Sequence, residues 1–288
     1  MSAKTCLIDL GPSECTTAIA LLREGFPQVS SGLWKRGFER LRQHPPPGGS
    51  GRDGQLLLVD GEVAGLSLEI SSRREDGDSG RQVVNLSSWY VRPQARARAL
   101  WMLSALSRRQ DVTITDLSAT TGVARMLPAL GYRTISHQIL CLPLLLLARG
   151  ARGSARVLDA DTALQASVGH PLHAAFTDHR ALGCLVNGIE LSGRLMPLVW
   201  RPKRRMGVLR TVELIYAESL EEVLVNLPVL ARALLSQGYL IAEVGAPETT
   251  VVDFSCLPYF RRRFAKGPYP AGAIDYLYSE FVYFGFGR

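Results

Sequence analysis

One stretch of the chain combines residue types that suit the binding of an anion. Residues 83–91 form an apolar run that predicts a strand. Arg92-Pro93-Gln94 breaks it, because proline has no N–H for a strand ladder and restrains the residue before it. Small residues then alternate with arginine over residues 95–99 and open a helical pattern that extends through Arg109. A strand, a small-residue turn and a helix N-terminus direct backbone N–H groups and the helix dipole at one point, where a phosphate is favoured.

Two more elements follow this turn. Residues 112–116 predict a short strand, and residues 118–130 predict a helix that ends at Gly131-Tyr132. The order strand, turn, helix, strand, helix resembles the acyl-CoA-binding core of the GNAT superfamily of acyl-CoA N-acyltransferases. In that family the first strand ends in a turn of the type Arg/Gln-x-x-Gly-x-Gly/Ala, whose amides hold the pyrophosphate of CoA.

The resemblance covers about fifty residues and rests on particular motifs. Val91-Arg92-Pro93 is similar to the family's strand exit, Arg96 falls on the first position of the turn, and residues 130–133 (Leu-Gly-Tyr-Arg) are similar to its closing motif. The resemblance implies acetyl-CoA or another acyl-CoA as co-substrate. The cofactor-binding residues that it implies are Val91, Gln94, Ala95, Arg96, Ala97, Arg98 and Ala99.

This sequence departs from the family pattern at three positions. Ala99 stands where the turn has Gly, and Trp101 stands where it has Gly or Ala. The tyrosine that many members use as general acid falls on Leu127. We expect Trp101 to point into the core, on one helix face with its leucine neighbours.

Acyl transfer from a thioester to an amine requires a deprotonated acceptor and a stabilised oxyanion. Members of the family often use a glutamate on the central strands, and a backbone amide beside a splayed strand. Glu69, Asp116 and Ser88 are the catalytic candidates that this implies. Structural interpretations remain open for both carboxylates: Glu69 alternates outward from its apolar neighbours, and Asp116 could cap the next helix. Ser88 and Asn85 could instead bind the acceptor or the pantetheine arm.

Composition limits the class of protein. The 288 residues, 47% hydrophobic and 20% charged, suit an ordinary globular protein of one large or two smaller domains. The longest apolar run, residues 139–148, is too short for a membrane helix, which needs roughly 20 residues. The N-terminus does not have the pattern of a signal peptide. Five scattered cysteines without a CxxC motif favour reduced thiols and a cytoplasmic location.

The net charge of +7 admits several anionic partners. Nucleic acid is the less favoured of these, because the arginines are dispersed rather than gathered in one tract. The densest basic stretches are residues 201–205 and 259–264, for which a solvated loop is the default interpretation. If they function, they suit an anionic acceptor such as a nucleotide- or lipid-pyrophosphate-linked sugar. The oligomeric state cannot be predicted.

The first half predicts a regular succession of elements. Helices are expected over residues 16–25 and 30–43, the second capped by Ser30 or Ser31. A flexible Pro/Gly loop follows over residues 44–54. Asp60-Gly61 then predicts a hairpin turn, because a two-residue hairpin needs positive φ. Residues 134–142 predict a strand that continues through residues 144–147.

The second half of the sequence predicts a similar order of hairpin, strands and helix, with less distinct signals. Asn187-Gly188 suggests a hairpin turn, residues 201–205 a connection between two strands, residues 220–237 a helix, and residues 275–286 a last strand. The phosphate turn is replaced by Ala217-Glu218-Ser219, and an acidic residue there repels phosphate. The hypothesis is a tandem α/β (α+β) protein with mostly antiparallel GNAT-like sheets flanked by helices. Its domains are residues 1–148, a linker at 149–156, and a degenerate copy at 157–288.

The histidines and Cys141 are weaker candidates for a role in metal binding or catalysis. His170, His173 and His179 lack the spacing and thiolate or carboxylate neighbours of a metal site, so no metal is expected. Cys141 lies in an apolar run and has no cationic neighbour in sequence to lower its pKa. The sequence therefore predicts an acetyltransferase that acts on an amine or hydroxyl of a small acceptor, an amino sugar of surface-polysaccharide assembly being the first choice by analogy. The alternative is a non-catalytic GNAT-like binding or regulatory scaffold.

Overall fold

The computed structural model describes residues 4–75, 80–109, 112–150, 155–191, 193–250 and 258–285. The described residues form two compact units. Unit 1 contains residues 4–133, 264–269 and 278–285, and unit 2 contains residues 134–263 and 270–277. The expected linker at 149–156 falls partly outside the described residues, and the domain division of the chain stays a prediction.

Unit 1 begins with a strand that the sequence did not predict, followed by the two helices that it did. Its elements are β1 (Thr5–Leu10), α1 (Cys15–Gly25), α2 (Ser31–Gln43), β2 (Gly54–Val59), β3 (Glu62–Arg74), β4 (Arg81–Val91), α3 (Ala99–Ser107), β5 (Val112–Asp116) and α4 (Thr121–Met126). Ser30 caps α2 by accepting the N–H of Leu33 at 3.3 Å. Asp60 and Gly61 have φ of 52° and 86°, which confirms the hairpin turn between β2 and β3.

The strands of unit 1 pair in the order β1-β2-β3-β4-β5. Neighbours are antiparallel except β4 and β5, which run parallel and are joined by α3 as the crossover helix. Phe264 to Lys266 add a short antiparallel strand beyond β5. One core cluster forms where apolar residues of β4 and β5 meet those of α3. Its members are Val84, Leu86, Leu103, Leu106, Ile114, Leu127, Tyr132 and Phe264.

Unit 2 also contains one parallel strand pair. Its elements are β6 (Arg133–Pro143), α5 (Leu144–Leu147), β7 (Arg156–Leu158), α6 (Ala160–Ala166), α7 (His173–Ala181), β8 (Leu185–Leu191), β9 (Arg194–Arg205), β10 (Leu209–Ala217), α8 (Leu220–Val225), α9 (Leu227–Ser236) and β11 (Ile241–Ala246). The C-terminal elements are β12 (Tyr259–Lys266), β13 (Ile274–Asp275) and α10 (Glu280–Tyr283), of which α10 and residues 264–266 of β12 belong to unit 1.

The unit 2 strands pair in the order β7-β8-β9-β10-β11-β6. Among the described residues of this order, β10 and β11 run parallel, connected by α8 and α9, and the other neighbours are antiparallel. The fold class predicted from the sequence is confirmed: helices flank a mixed sheet that is largely antiparallel. No helix among the described residues is long and apolar enough to cross a membrane.

Two predicted strands are helices. Residues 144–147 form α5 because Pro143 cannot continue the strand ladder and leucine favours a helix over a strand. In the tail, only Ile274 and Asp275 form a strand, and residues 280–283 form α10. One aromatic residue of this tail, Phe284, packs instead against α2, with its ring centroid 5.7 Å from that of Trp34 and 5.6 Å from that of Phe38.

Two predicted turns lie inside strands. Asn187 is a buried residue of β8, where its Oδ1 accepts the indole N–H of Trp200 at 3.0 Å. Residues 201–205 belong to β9, and the chain reverses after them at Met206 and Gly207, both at positive φ. The basic stretch is therefore part of the sheet of unit 2 rather than a solvated loop.

Candidate active site

The parallel strands of unit 1 separate at a bulge. β4 and β5 pair from Gln82 to Leu86, where Leu86 faces Asp116, and β4 then continues alone to Val91. Against β3, the register places Ser87 and Ser88 opposite one residue, Leu68. A bulge leaves one residue outside the regular ladder of hydrogen bonds. The gap between the strands therefore opens beside backbone groups that are not committed to a regular sheet.

Both serines of the bulge are buried. The Ser87 hydroxyl has no hydrogen-bond partner among the described residues. Ser88, the predicted catalytic or ligand-binding serine, thus lies at the separation of the strands, next to this unsatisfied hydroxyl. A buried polar group without a partner costs free energy, which a ligand in the gap could recover.

Glu69 lies in the row where the strands separate. It faces Leu86 across β3 and β4, and Leu86 faces Asp116 across β4 and β5, so Glu69 and Asp116 are two strands apart on one row. The expected outward orientation of Glu69 is wrong, because its side chain has no exposed surface. Leu68 and Ile70 are buried as well, so both faces of β3 are covered here and alternation does not place Glu69 in solvent.

The Glu69 carboxylate is only partly satisfied. Its Oε1 accepts the Ser67 hydroxyl at 3.1 Å, whereas Oε2 has no hydrogen-bond partner among the described residues. Two guanidinium groups lie near Oε2, Nη2 of Arg52 at 3.5 Å and Nη1 of Arg109 at 3.6 Å. Burial raises the pKa of Glu69, an effect that Arg52 partly offsets. A buried carboxyl with a raised pKa suits a general base.

Asp116 is also buried, at the end of β5. Its Oδ1 accepts the N–H of Ser118 at 3.3 Å, so it stabilises the turn after β5 rather than capping α4, which starts at Thr121. Tyr132 belongs to the same surroundings: its hydroxyl lies 3.2 Å from Ser107 Oγ, and burial raises its pKa to about 12. The sequence analysis missed Arg52, Arg109 and Tyr132, because contacts between distant segments leave no local signal.

The turn after β4 is more regular than the sequence predicted. Residues 93–98 form a 3-10 helix that leads into α3. The N–H of Ala95 donates to Arg92 O at 2.9 Å, and the N–H of Ala99 donates to Arg96 O. These two amides are therefore engaged within the protein. Gln94, Arg96 and Ala97 face solvent, and an Arg98 guanidinium N–H donates to the Thr5 hydroxyl.

Trp101 does not point into the core. Its side chain is 40% exposed, and α3 buries Met102, Leu103 and Leu106 instead. Ala95 is buried in a small cluster with Leu57, Ala64, Val91 and Met102. Cofactor binding by Val91 and by residues 94–99 stays a prediction. The structure leaves Arg96 and Ala97 exposed there and removes Trp101 from the interior.

A cavity of about 240 Å³ lies beside Glu69. It is formed where the Pro/Gly loop after α2 meets the middle of β3. Its charged and polar lining consists of Arg42, Ser50, Arg52, Asp53, Glu69 and Ser71. Burial raises the pKa of Asp53, partly offset by Arg42. Two arginines and two carboxyls thus surround a space large enough for a small polar molecule.

Unit 2 has a similar strand separation with different residues. β10 and β11 pair from Thr211 to Glu213, and a register shift against β9 follows between Leu214 and Tyr216. The row at the separation is Arg201, Glu213 and Glu243. These positions correspond in strand order to Glu69, Leu86 and Asp116 of unit 1.

Ion pairs fill this row of unit 2. Arg201 Nη2 lies 2.5 Å from Glu213 Oε2, and Arg263 pairs with the other oxygen. Lys203 Nζ lies 3.1 Å from Glu213 and 2.5 Å from Glu243. Burial alone would raise the pKa of Glu213, but Arg201, Arg263 and Lys203 outweigh burial and hold it below its usual range. Three basic residues expected on the surface are therefore interior.

The remaining reactive residues of unit 2 are occupied. His170 Nε2 lies 2.8 Å from Glu218 Oε1, and His173 Nδ1 lies 2.9 Å from Ser167 Oγ. Within the described residues, no group of three or more metal-ligating side chains could hold an ion. The expectation that Cys141 lacks a cationic neighbour is wrong, because Arg205 Nη1 donates to its sulfur at 2.9 Å. β9 brings that arginine from a distant part of the sequence.

Known proteins resemble this chain in structure only. No protein-family model and no curated protein match its sequence. The GCN5-related N-acetyltransferase from Anabaena variabilis aligns with a TM-score of 0.55 and 8% identity, covering 91% of this chain and 72% of its own. The GCN5-related N-acetyltransferase from Kribbella flavida aligns with a TM-score of 0.53 and 12% identity, over 91% and 71%.

A third solved structure is the GCN5-related glucosamine N-acetyltransferase region of a fungal multi-domain β-N-acetylglucosaminidase. It aligns with a TM-score of 0.55 and 13% identity over 92% of this chain and 38% of the fungal chain. The matched structures span nearly the whole of this chain. Its fold is therefore that of the GCN5-related N-acetyltransferases, as the turn and closing motifs predicted.

Proposed function

We propose that unit 1 transfers an acyl group from acetyl-CoA or another acyl-CoA to an amine or hydroxyl of a small acceptor. The observation that carries this proposal is the bulged separation of β4 and β5, with a buried carboxyl, Glu69, in the row where it begins. A gap between parallel strands gives the pantetheine arm a path, and a bulge supplies backbone groups for a thioester oxygen.

Each candidate residue has a role in this proposal. Glu69 removes the acceptor proton, and the Ser87–Ser88 bulge lies beside the thioester. The exposed side chains of Gln94 and Arg96, with Ala97 and the start of α3, contact the pyrophosphate. Asp116 keeps the turn after β5 in place through Ser118. The cavity beside Glu69 receives the acceptor.

An amino sugar is the acceptor that we propose. Its amine suits the Glu69 carboxyl, and its hydroxyls suit the mixture of arginine, serine and carboxyl groups that line the cavity. The fungal protein of similar fold is itself a glucosamine N-acetyltransferase region by name. Attachment of the sugar to a nucleotide or a lipid, a role in polysaccharide assembly, and a cytoplasmic location stay predictions.

Two measurements test the function. Titration calorimetry with CoA measures cofactor binding, and release of free CoA thiol from acetyl-CoA in the presence of glucosamine measures transfer. We expect heat with CoA and thiol release that depends on glucosamine. Glucose, which has the hydroxyls but no amine, is the matched control and should release much less thiol.

The second candidate function is a non-catalytic scaffold with this fold. The engaged amides of Ala95 and Ala99 favour it, because fewer N–H groups remain for a diphosphate. The lack of exposed surface at Glu69 favours it as well. This alternative predicts no heat with CoA or acetyl-CoA and no thiol release with any acceptor.

We also propose that unit 2 is a degenerate copy of unit 1, as the tandem division into residues 1–148 and 157–288 predicted. The parallel pair, the crossover helices and the register shift of β10 support it, since unit 1 has each of these features. Glu218 follows β10 where unit 1 has its arginine turn, so we expect no CoA in unit 2. A crystal structure grown with CoA that shows the cofactor after β10 would contradict this.

A further inference from the structure

We propose that Arg52, anchored by Asp9, is a positioning residue that keeps the Glu69 carboxyl in its charged form. The inference concerns the chain segment before β2, which no motif singled out. It rests on the proposed function in one respect only, the use of Glu69 as a base. The charge of Glu69 itself can be measured without any acyl transfer.

The Glu69 carboxylate lacks the usual means of stabilising a buried charge. It has no exposed surface, and among the described residues it accepts one side-chain hydrogen bond, from Ser67. Burial of a charged carboxylate without sufficient partners favours its protonated form. A protonated Glu69 cannot accept a proton from the acceptor, so the surroundings must supply positive charge.

Arg52 and Arg109 are the groups that supply it. Arg52 Nη2 lies 3.5 Å from Glu69 Oε2, and Arg109 Nη1 lies 3.6 Å from the same oxygen. Both distances are beyond ordinary hydrogen bonds, so the attraction is mainly between charges. Arg52 is the better shielded of the two, with a side chain 18% exposed against 31% for Arg109. Solvent therefore screens its effect on Glu69 less.

Asp9 determines where the Arg52 guanidinium lies. Its Oδ1 is 2.5 Å from Arg52 Nη1, which leaves the other terminal nitrogen directed to Glu69. Asp9 is 66% exposed and lies on the edge strand β1. It competes with Glu69 for the same cation, and its own negative charge raises the pKa of Glu69. Loss of Arg52 and loss of Asp9 should thus have opposite effects.

The other titratable groups near Glu69 do not supply positive charge. Tyr132, whose pKa is raised to about 12, is neutral at physiological pH. Asp116, on the same row, is acidic. Asp53, which lines the neighbouring cavity, interacts with Arg42 rather than with Arg52. Arg42 therefore offers a matched control: an arginine of the same cavity that is not paired with Glu69.

The experiment is a carboxyl NMR titration of the full chain labelled with 13C-glutamate, with Glu69→Gln used to assign the Glu69 signal. We expect Arg52→Gln to raise the pKa of Glu69, because it removes a neighbouring cation. We expect Asp9→Asn to lower it, because it removes an anion and releases Arg52 to pair with Glu69. Arg42→Gln should leave the Glu69 titration unchanged.

Shifts in opposite directions are expected only if Arg52 and Asp9 act on the charge of Glu69. Shifts in the same direction for Arg52→Gln and Asp9→Asn, or no shift in either, would overturn the proposal. If Arg52→Gln does not fold, Asp9→Asn alone is decisive, because its exposed site tolerates substitution and a rise or no change in the Glu69 pKa refutes the inference. In kcat/KM, the acid limb should move to higher pH for Arg52→Gln and to lower pH for Asp9→Asn.

The proposed function and this inference can be refuted independently of each other. Opposite NMR shifts in a protein that transfers no acyl group would refute the function and leave the control of Glu69 by Arg52 intact. Acyl transfer with an unchanged Glu69 titration would refute the inference and leave the function intact.

Discussion

The two units open their parallel strands in similar ways and fill the opening differently. In unit 1 the row at the separation is Glu69, Leu86 and Asp116, and the Glu69 Oε2 atom has no hydrogen-bond partner among the described residues. In unit 2 the row is Arg201, Glu213 and Glu243, joined by short ion pairs. One unit retains an incompletely satisfied carboxyl, and the other satisfies its carboxyls internally.

The turns that follow the first parallel strand differ in the same sense. Unit 1 presents exposed Arg96 and Ala97 before α3, which has nine residues. Unit 2 presents Glu218, paired with His170 and Arg194, before α8, which has six. A short helix with an acidic residue before it does not attract phosphate. The two turns therefore differ in charge and exposure, in line with the proposal that acyl-CoA binds to unit 1 and not to unit 2.

The largest expected effect comes from Glu69→Gln in unit 1. If Glu69 is the base, turnover should fall by about 10²- to 10⁴-fold, the usual contribution of a general base. CoA affinity should hardly change, because the residue lies away from the pyrophosphate turn. Steady-state kinetics with acetyl-CoA, combined with CoA calorimetry, separates the two quantities. Full activity in the variant would remove Glu69 from the site and weaken the contrast between the units.

Glu213→Gln in unit 2 should affect stability instead. Removal of one partner from a buried ion cluster leaves the others uncompensated and costs about 3–5 kcal/mol. Urea denaturation of this variant measures the loss. We expect CoA affinity to remain that of the wild-type protein, since no part of unit 2 is assigned to the cofactor. A stable variant that has lost CoA binding would reverse the roles of the units.

The same cluster predicts a pH dependence. The pKa of Glu213 in the folded protein is held below its ordinary value of 4.5, so the unfolded chain binds this proton more readily. Its contribution to stability is therefore fully present above about pH 4.5 and is lost as the pH falls below that value. In Glu213→Gln this component of the acid denaturation curve should disappear, which urea midpoints at several acidic pH values would show.

Arg96→Glu sharpens the comparison of the two turns. Loss of a charged hydrogen bond to phosphate costs about 1.5–3 kcal/mol, or roughly a 10- to 100-fold weaker CoA affinity. The matched variant in unit 2 is Glu218→Gln, which changes the acidic turn and should leave CoA affinity unaltered. Calorimetry on both proteins compares them directly. Equal affinities for wild type and Arg96→Glu would place the diphosphate elsewhere.

The smallest effect is expected from Ser87→Ala. Because the Ser87 hydroxyl has no hydrogen-bond partner among the described residues, its removal should change the free energy of unfolding by less than about 1 kcal/mol. If the hydroxyl contacts the acyl-CoA, KM for acetyl-CoA should rise modestly. Thermal unfolding and steady-state kinetics test the two parts. A strong loss of stability would show that the serine serves the fold rather than the ligand.

Local sequence signals predicted the frame of unit 1. Asp60-Gly61 determined the hairpin turn, Ser30 the start of α2 and Gly131 the end of the helical segment before β6. Each of these signals acts within a few residues, through positive φ or a capping hydrogen bond. The apolar runs that predicted strands β4 and β5 are also local signals, because each is contained within the strand itself.

The charged interior could not be predicted in this way. Glu69 is approached by Arg52, from the loop before β2, and by Arg109, from the segment after α3. Glu213 is paired with Arg201 of the neighbouring strand β9 and with Arg263 of β12. Alternation of polar and apolar residues assigns charged side chains to solvent, which was wrong for Glu69, Arg201 and Arg263. Only the register of the strands reveals that opposite charges share a row.

The closing strand of unit 1 has a consequence for biosynthesis. Phe264 to Lys266 cover the outer edge of β5, and the backbone N–H of Glu280 donates to the buried Asn85 side chain at 2.9 Å. Residues 264–266 are synthesised about 130 residues after residue 133, a delay of roughly 7–26 s at ordinary translation rates. Throughout that interval the β5 edge is open to pairing with other nascent chains. We therefore expect the N-terminal part to be most prone to aggregation before its C-terminal segments emerge.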